Sequence, residues 1–196
     1  MTKFQAPNPV YLGPAKFHGE ANNKPIRRIV LHSTVGPTKA GSARAVARYF
    51  RESVVRPSSA HYVVDAGEVV QVVYDSVEAY HAPPSLHTLA IEMCDYPIAD
   101  PEKGLLRWKD KDHRDLLRNT IHLTVDLLLA YNIRPVFLTV PLLVAGDQKY
   151  KNGAAGITTH NNVSHAFHES THWDPGAWPQ IEFMHRTRAR YNKLKG

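Results

Sequence analysis

Apolar positions recur along the chain with two different periods, and the switches between them outline the fold. Residues 26–33, "IRRIVLHS", hold the short run Ile29, Val30 and Leu31, which predicts a buried strand. In "SARAVARYFRES" (42–53) the apolar positions become Ala43, Val46, Ala47 and Phe50, the spacing of one helix face, with Ser42 as the expected N-cap. "HYVVDAGEVVQVVY" (61–74) places two Val-rich runs around Asp65-Ala66-Gly67 and predicts a β-hairpin. "TLAIEMC" (88–94) predicts a further strand, with Ala90 and Glu92 on one face and Leu89, Ile91 and Met93 on the other.

The strongest helical pattern covers 110–133, with Leu117, Ile121, Val125 and Leu128 on one face; Asn132 and the Arg134-Pro135 pair stop it. "PVFLTV" (135–140) predicts a short strand and "AGDQKYKNGAAG" (145–156) a loop. Pro179 opens a last helix along Ile181, Met184 and Tyr191. Residues 1–25, rich in Pro and Asn, predict an irregular arm. Strands and helices alternate loosely around one hairpin, with no repeat and no long linker. The expected class is therefore α/β: a single domain, residues 1–196, with a mixed central β-sheet and helices packed on it. Segments 94–111 and 138–157 are long connections for such a domain, and loops of that length usually serve a binding site.

A chain of 196 residues with 43% hydrophobic and 21% charged residues can bury a real core. Its net charge of +6 is concentrated at Arg27-Arg28 and in "HRTRARYNKLKG", which suits a polyanion or a bacterial wall as well as plain solubility. The single cysteine, Cys94, excludes an internal disulfide and any multi-cysteine zinc cluster. A metal would need His and carboxylate ligands, with Cys94 as the only thiolate on offer. The first twenty residues lack the apolar core and cleavage site of a signal peptide, and Pro141 breaks the apolar run "VFLTVPLLVAG". Cytoplasmic synthesis without an export address, and no membrane insertion, are the expectations.

The chemistry gathers in "TTHNNVSHAFHESTHWDPG" (158–176), where four histidines and one aspartate share nineteen residues. His32 ends a predicted strand, His160 follows "GITT", and Asp174 precedes Pro-Gly. Two histidines and a carboxylate from distant segments match the open three-ligand zinc site, which leaves a position for water. Singly, each has a plainer reading: a hydrogen-bonded strand-end histidine for His32 or His160, a turn residue for Asp174. Glu92 divides in the same way between a solvent-facing glutamate and a carboxylate lining a cleft.

The pieces "IVLHST", "SAHYVVDAGEVVQVV", "AYHA", "LAIEM", "THNNVS" and "HWDPG" occur in an order that resembles the zinc-dependent N-acetylmuramoyl-L-alanine amidases of type 2. That family includes phage endolysin domains and peptidoglycan-recognition proteins. The resemblance runs over residues 26–178 and looks most like the amidase domains of endolysins from phages of mycobacteria and related actinobacteria. It implies a Zn2+ ion on His32, His160 and Asp174, with Glu92 as the catalytic glutamate. His172 takes the place of a lysine found two positions before the third ligand, and would act beside the metal. His61 and His81 are implied as substrate-binding or supporting residues. His81 stands in Tyr80-His81-Ala82-Pro83 where the family more often has Trp-His-Ala-Gly. Ala60 replaces a tyrosine that some members carry, so Glu92 would act without it. His113, His122, His165, His168 and His185 are expected at the surface.

The implied reaction is cleavage of the amide between N-acetylmuramic acid and L-alanine of the stem peptide, by an endolysin made in the host cytoplasm and acting on the cell wall. Bacterial peptidoglycan is the expected partner, with no nucleic acid, no obligate protein partner and no separate wall-binding domain visible. Two alternatives stay open. One is a non-catalytic peptidoglycan-binding module of the same fold, a type that lacks a metal ligand. The other is a metal-dependent nuclease, suggested by His160-Asn161-Asn162 and the basic charge. A ββα-metal nuclease keeps its histidine within one hairpin–helix unit, whereas the best hairpin here lies far upstream of His160.

Overall fold

The computed structural model describes residues 9–21, 25–150 and 153–196, with the backbone alone for 147–150. Its centre is a six-stranded sheet. In spatial order the strands are β1 (Val10–Tyr11), β5 (Val69–Gln71), β4 (Tyr62–Val64), β7 (Thr88–Met93), β3 (Arg28–Ser33) and β8 (Gly156–Thr159). Strands β4, β7, β3 and β8 run parallel, while β5 returns antiparallel to β4 through the expected hairpin. A separate antiparallel ribbon joins β2 (His18–Ala21) to β6 (Val77–Ala79).

Both faces of the sheet are covered, which is why its central strands are apolar on both sides. Ile29 and Leu31 of β3 and Leu89, Ile91 and Met93 of β7 pack on one face. There they meet Leu117, Ile121, Val125 and Leu128 of α3 (Lys111–Ala130), with Phe183, Met184 and Tyr191 of α6 (Gln180–Lys195). On the other face, Val63, Val70 and Ala90 meet Ala43, Ala47 and Phe50 of α1 (Ser42–Glu52). Beside them Val30 packs with Leu143 of α4 (Val140–Tyr150) and Val163 of α5 (His160–Phe167). The mixed sheet with helices is as expected.

Several local expectations change. Ser42 opens α1 rather than capping it: Gly41 takes the left-handed conformation (φ 90) just before it. The cap comes from the hairpin, where Asp65 Oδ2 accepts the Ala43 N–H (2.9 Å) and Oδ1 accepts those of Gly67 (2.7 Å) and Glu68 (2.8 Å). One carboxylate thus closes a turn and ties it to a helix N-terminus. The arm is irregular only in part where described, since β1 pairs with β5 and β2 with β6; residues 1–8 and 22–24 lie outside the described residues. Segment 94–111 contains α2 (Pro101–Arg107), started by Asp100, which accepts the Lys103 N–H (2.9 Å), and by Pro101 in the first turn. Segment 138–157 contains α4, so the expected loop at 145–156 is helical up to Tyr150, and 151–152 lie outside the described residues. The expected strand at 135–140 is a single bridge, Phe137 to Ile157. Ile181 is 88% exposed, and α6 buries Phe183, Met184, Thr187 and Tyr191 instead.

His113, expected at the surface, is half-buried in an ionic cluster at the N-terminus of α3. Its Nε2 lies 3.1 Å from Asp95 Oδ1 and 3.2 Å from Thr38 Oγ1, and its Nδ1 lies 2.7 Å from Asp110 Oδ2. Asp95, fully buried just past β7, also accepts from Arg107 Nη2 (2.5 Å) and Nε (3.0 Å). Burial alone would lower the imidazole pKa, but the two carboxylates outweigh it and raise the value above the ordinary one. A pKa raised on folding stabilises fully below the unfolded value of about 6.5 and ceases to as pH rises through the folded value. Urea unfolding of wild type and His113→Gln from acid to alkaline pH should therefore show the largest wild-type advantage on the acid side. An advantage that does not change with pH would mean the ring contributes packing alone.

Candidate active site

Strands β3, β7 and β8, being parallel, finish at one edge of the sheet and deliver their last residues together. His32 and Glu92 are direct partners across the β3–β7 ladder, both on the face covered by α1 and α5. His160 follows β8 as the first residue of α5, whose start is fixed by Thr159: its hydroxyl accepts the Asn162 N–H (3.3 Å). The rings of His32 and His160 meet edge-on, with centroids 4.6 Å apart.

Asp174 reaches them from a loop held at several points. Its carbonyl accepts the Asn161 N–H (2.9 Å) and its Oδ2 accepts the Ser33 N–H (3.2 Å). The turn continues through Gly176 at φ 67, where a Cβ would come within 2.7 Å of the Ile98 carbonyl oxygen. Ala177 then donates its N–H to Ile98 (2.8 Å) and accepts from Arg107 Nη1 (2.8 Å). Asp174 Oδ1 consequently stands 3.2 Å from His160 Nδ1, and Oδ2 stands 3.4 Å from His32 Nδ1.

His32, His160 and Asp174 are all buried and offer one ligand atom each within 4.8 Å of one another. Metal–ligand bonds of about 2.0–2.2 Å in a tetrahedron put neighbouring donor atoms roughly 3.3–3.6 Å apart, so the spacings suit one small cation. Burial holds the His32 ring below its ordinary pKa, in the neutral state a ligand requires. Burial opposes ionisation of Asp174, but its contacts with His160 and His32 outweigh it and keep the carboxyl below the usual carboxylate range. Cys94 is buried outside this group, and burial pushes its thiol up.

Glu92 lines the same cleft. Burial, reinforced by the negative charge of Asp174, pushes its carboxyl up to about 8, where it can hold or release a proton near neutrality. His172 is exposed and stacks on His160 with centroids 4.5 Å apart and planes 12° apart. The cleft encloses about 690 Å³, and Tyr49, Arg56, Tyr80 and Trp173 also line it. Periodicity does not single out these four; Tyr80, inside "AYHA", and Trp173, inside "HWDPG", lie in motifs that carry the resemblance. Of the two long segments expected to serve the site, 94–111 contributes Pro97, while no described residue of 138–157 lines the cleft.

The two remaining expected site residues part company. His81 lines the cleft and contacts His32, with Nδ1 lying 3.1 Å from His32 Nε2. His61 does not reach the cleft: it is 1% exposed and both nitrogens serve the backbone. Nε2 lies 3.0 Å from the Val77 carbonyl and Nδ1 accepts the Ala90 N–H at 3.0 Å. Burial lowers its pKa to about 4, and it supports the sheet rather than binding substrate. His165, His168 and His185 are exposed as expected, whereas His122 is half-buried.

Residues 22–177 match the family model for N-acetylmuramoyl-L-alanine amidase, Amidase_2. The chain belongs to this family. Its fold is shared with the Staphylococcus aureus hydrolase AmiA, solved in complex with its ligand: TM-score 0.69, 14% identity, covering 98% of this chain and 87% of that one. The amidase LysCS, an endolysin from Clostridium intestinale, aligns at TM-score 0.56 and 15% identity over 95% of this chain and 96% of its own. A mutant endolysin from Bacillus subtilis gives TM-score 0.54 and 18% identity over 94% and 98%. No curated protein matches the chain.

If the three clustered donors hold a cation, the purified protein should bind about one divalent ion per chain. His32→Ala and Asp174→Ala should each lose most of it, as read by elemental analysis after dialysis. Full metal content in both variants would remove the site from these residues.

Proposed function

We propose that this amidase is zinc-dependent and cleaves the bond between the lactyl group of N-acetylmuramic acid and L-alanine of the stem peptide. The observation that carries this is the buried His32–His160–Asp174 cluster, with Glu92 alongside, opening into one cleft. Zinc held by these three residues would polarise the amide carbonyl and acidify a water. Glu92 takes the proton of the attacking water and returns it to the leaving amine, a task suited to a carboxyl that lines the cleft beside the trio. His172, stacked on His160 and lining the cleft, donates to the developing oxyanion. Tyr49, Tyr80 and Trp173 give the cleft aromatic surface for an extended polymer substrate.

The biological setting we propose is host lysis by an actinobacteriophage endolysin made in the host cytoplasm. The motif order and the shared fold with endolysin amidases support it, and the net charge of +6 favours encounter with an anionic wall. Among the described residues, no helix is long and apolar enough to cross a membrane. Peptidoglycan is the partner in this reading, without nucleic acid or an obligate protein.

Digestion of purified wall tests the reaction. New amino groups on L-alanine should appear without new reducing sugars; wall binding without any release would instead support a recognition module. Glu92→Gln should keep its metal and lose about 10²–10⁴-fold in turnover, the usual weight of general acid–base catalysis. Loss of the metal in that variant would make Glu92 a ligand and end its assignment as the base.

His172→Ala should also keep its metal, because the ring is exposed and lies outside the buried trio. Its turnover should fall by about 10²–10³, the cost of one oxyanion donor. Unchanged turnover on intact wall would leave His172 without a catalytic role.

A further inference from the structure

A chain of polar contacts runs from the cluster back along the buried face of the sheet. Thr88, the first residue of β7 and 2% exposed, has Oγ1 2.5 Å from the Ser85 carbonyl oxygen and 2.8 Å from His81 Nε2. A carbonyl can only accept, so the single hydroxyl proton of Thr88 is committed to Ser85, and Thr88 meets His81 as an acceptor. His81 Nε2 therefore carries a proton, and in the neutral ring Nδ1 carries the lone pair. That lone pair faces His32 Nε2 at 3.1 Å, so His32 is the donor in this contact. The remaining nitrogen of His32, Nδ1, is left bare, and it points at Asp174 Oδ2 from 3.4 Å. A bare nitrogen set against a carboxylate is repulsive unless a cation lies between them.

We propose that the Ser85 carbonyl, Thr88 and His81 form a positioning relay that fixes the tautomer of His32 and so presets the metal-facing nitrogen before any ion is bound. It rests on reading the cluster as a metal centre. His81, expected to touch substrate or support the site, acts through His32, and Thr88 joins the site although its side chain does not line the cleft. His160 is arranged alike: Nδ1 faces Asp174, and Nε2 lies 3.2 Å from Ser170 Oγ, which meets Ser164 Oγ at 2.5 Å. There either hydroxyl can be the donor, so only the Thr88 relay has a polarity set by the backbone. Ring partners of this kind typically change metal affinity by about 10–100-fold when removed.

Thr88→Val keeps the side-chain shape and removes the acceptor, while Thr88→Ser restores it. Competition with a chelator should show zinc held about 10–100-fold more weakly by Thr88→Val and His81→Phe, and near wild-type strength by Thr88→Ser. Nitrogen-15 spectra of the histidine rings in the metal-free full chain, at alkaline pH, read the tautomers directly. Wild type should show His32 and His81 both protonated at Nε2, and Thr88→Val a mixture at His81. A wild-type spectrum with the proton on Nδ1 of either ring overturns the relay, as does zinc affinity unchanged in Thr88→Val. If wild type shows Nε2 protons on both rings yet binds no zinc, the relay stands and the zinc reading falls. Should Thr88→Val fail to fold, the wild-type spectrum and the zinc affinity of Thr88→Ser decide.

Discussion

The parallel pairing of Arg28–Ser33 with Thr88–Met93 on one side and Gly156–Thr159 on the other decides where chemistry can occur. Parallel strands in register end at the same edge, so residues far apart in sequence arrive there together. His32 lies opposite Glu92, and His160 begins a helix one residue past β8. Strand side chains alternate between faces, so a slip of one residue would send His32 to the α3 side, where Ile29 and Leu31 now pack. The apolar residues beneath the sheet, remote from the cleft, therefore hold the register and the site with it.

A second constraint is the burial of charge. Asp95 and Asp174 are both buried carboxylates: Arg107 and His113 offset the charge of Asp95, while Asp174 accepts the Ser33 amide and faces the rings of His32 and His160. Removing one partner from such a group leaves an uncompensated buried charge, which costs about 3–5 kcal/mol. Arg107 joins the two, because one side of its guanidinium binds Asp95 while Nη1 reaches the Ala177 carbonyl in the loop of Asp174. The ionic cluster at the start of α3 thus helps to set the position of the third member of the trio.

What could be read from the sequence follows from how local each cause is. The runs at 29–31 and 89–93 and the face Leu117-Ile121-Val125-Leu128 are apolar for reasons that act within a few residues, and the structure agrees with them. The cap of α1 was not legible, because Asp65 supplies it from another element, 22 residues away. Pro141 reads as a break in an apolar run, yet it sits in the first turn of α4, where its missing N–H has no helical partner to lose. At the site, His32, Glu92, His160, His172 and Asp174 stand in motifs whose order carries the family resemblance, and the fold gathers all five around one cleft. The burial of His61, which stands in one of those motifs, and the part of Thr88, which stands in none, were not legible there. Both depend on hydrogen bonds between segments whose proximity only the sheet creates.

Those bonds also separate the groups that are free to react from those that are not. His61 donates to the Val77 carbonyl and accepts from the Ala90 amide, partners whose polarity cannot reverse. Through Thr88 and Ser85, a backbone carbonyl imposes the same discipline on His81 and then on His32. Each of these rings is held in one tautomer, which suits a ligand or a support and disqualifies it as a proton carrier. Glu92 and His172 line the cleft beside the trio, and among the described hydrogen bonds none ties either side chain to a fixed partner. Glu92, moreover, has its carboxyl poised near neutrality. A group that must exchange protons or answer a charge appearing during reaction has to be left uncommitted in the resting protein, because every fixed partner stabilises one protonation state at the expense of the other. The assignment of proton transfer to Glu92 and oxyanion donation to His172 thus rests on what the fold leaves unbonded as well as on where it places them.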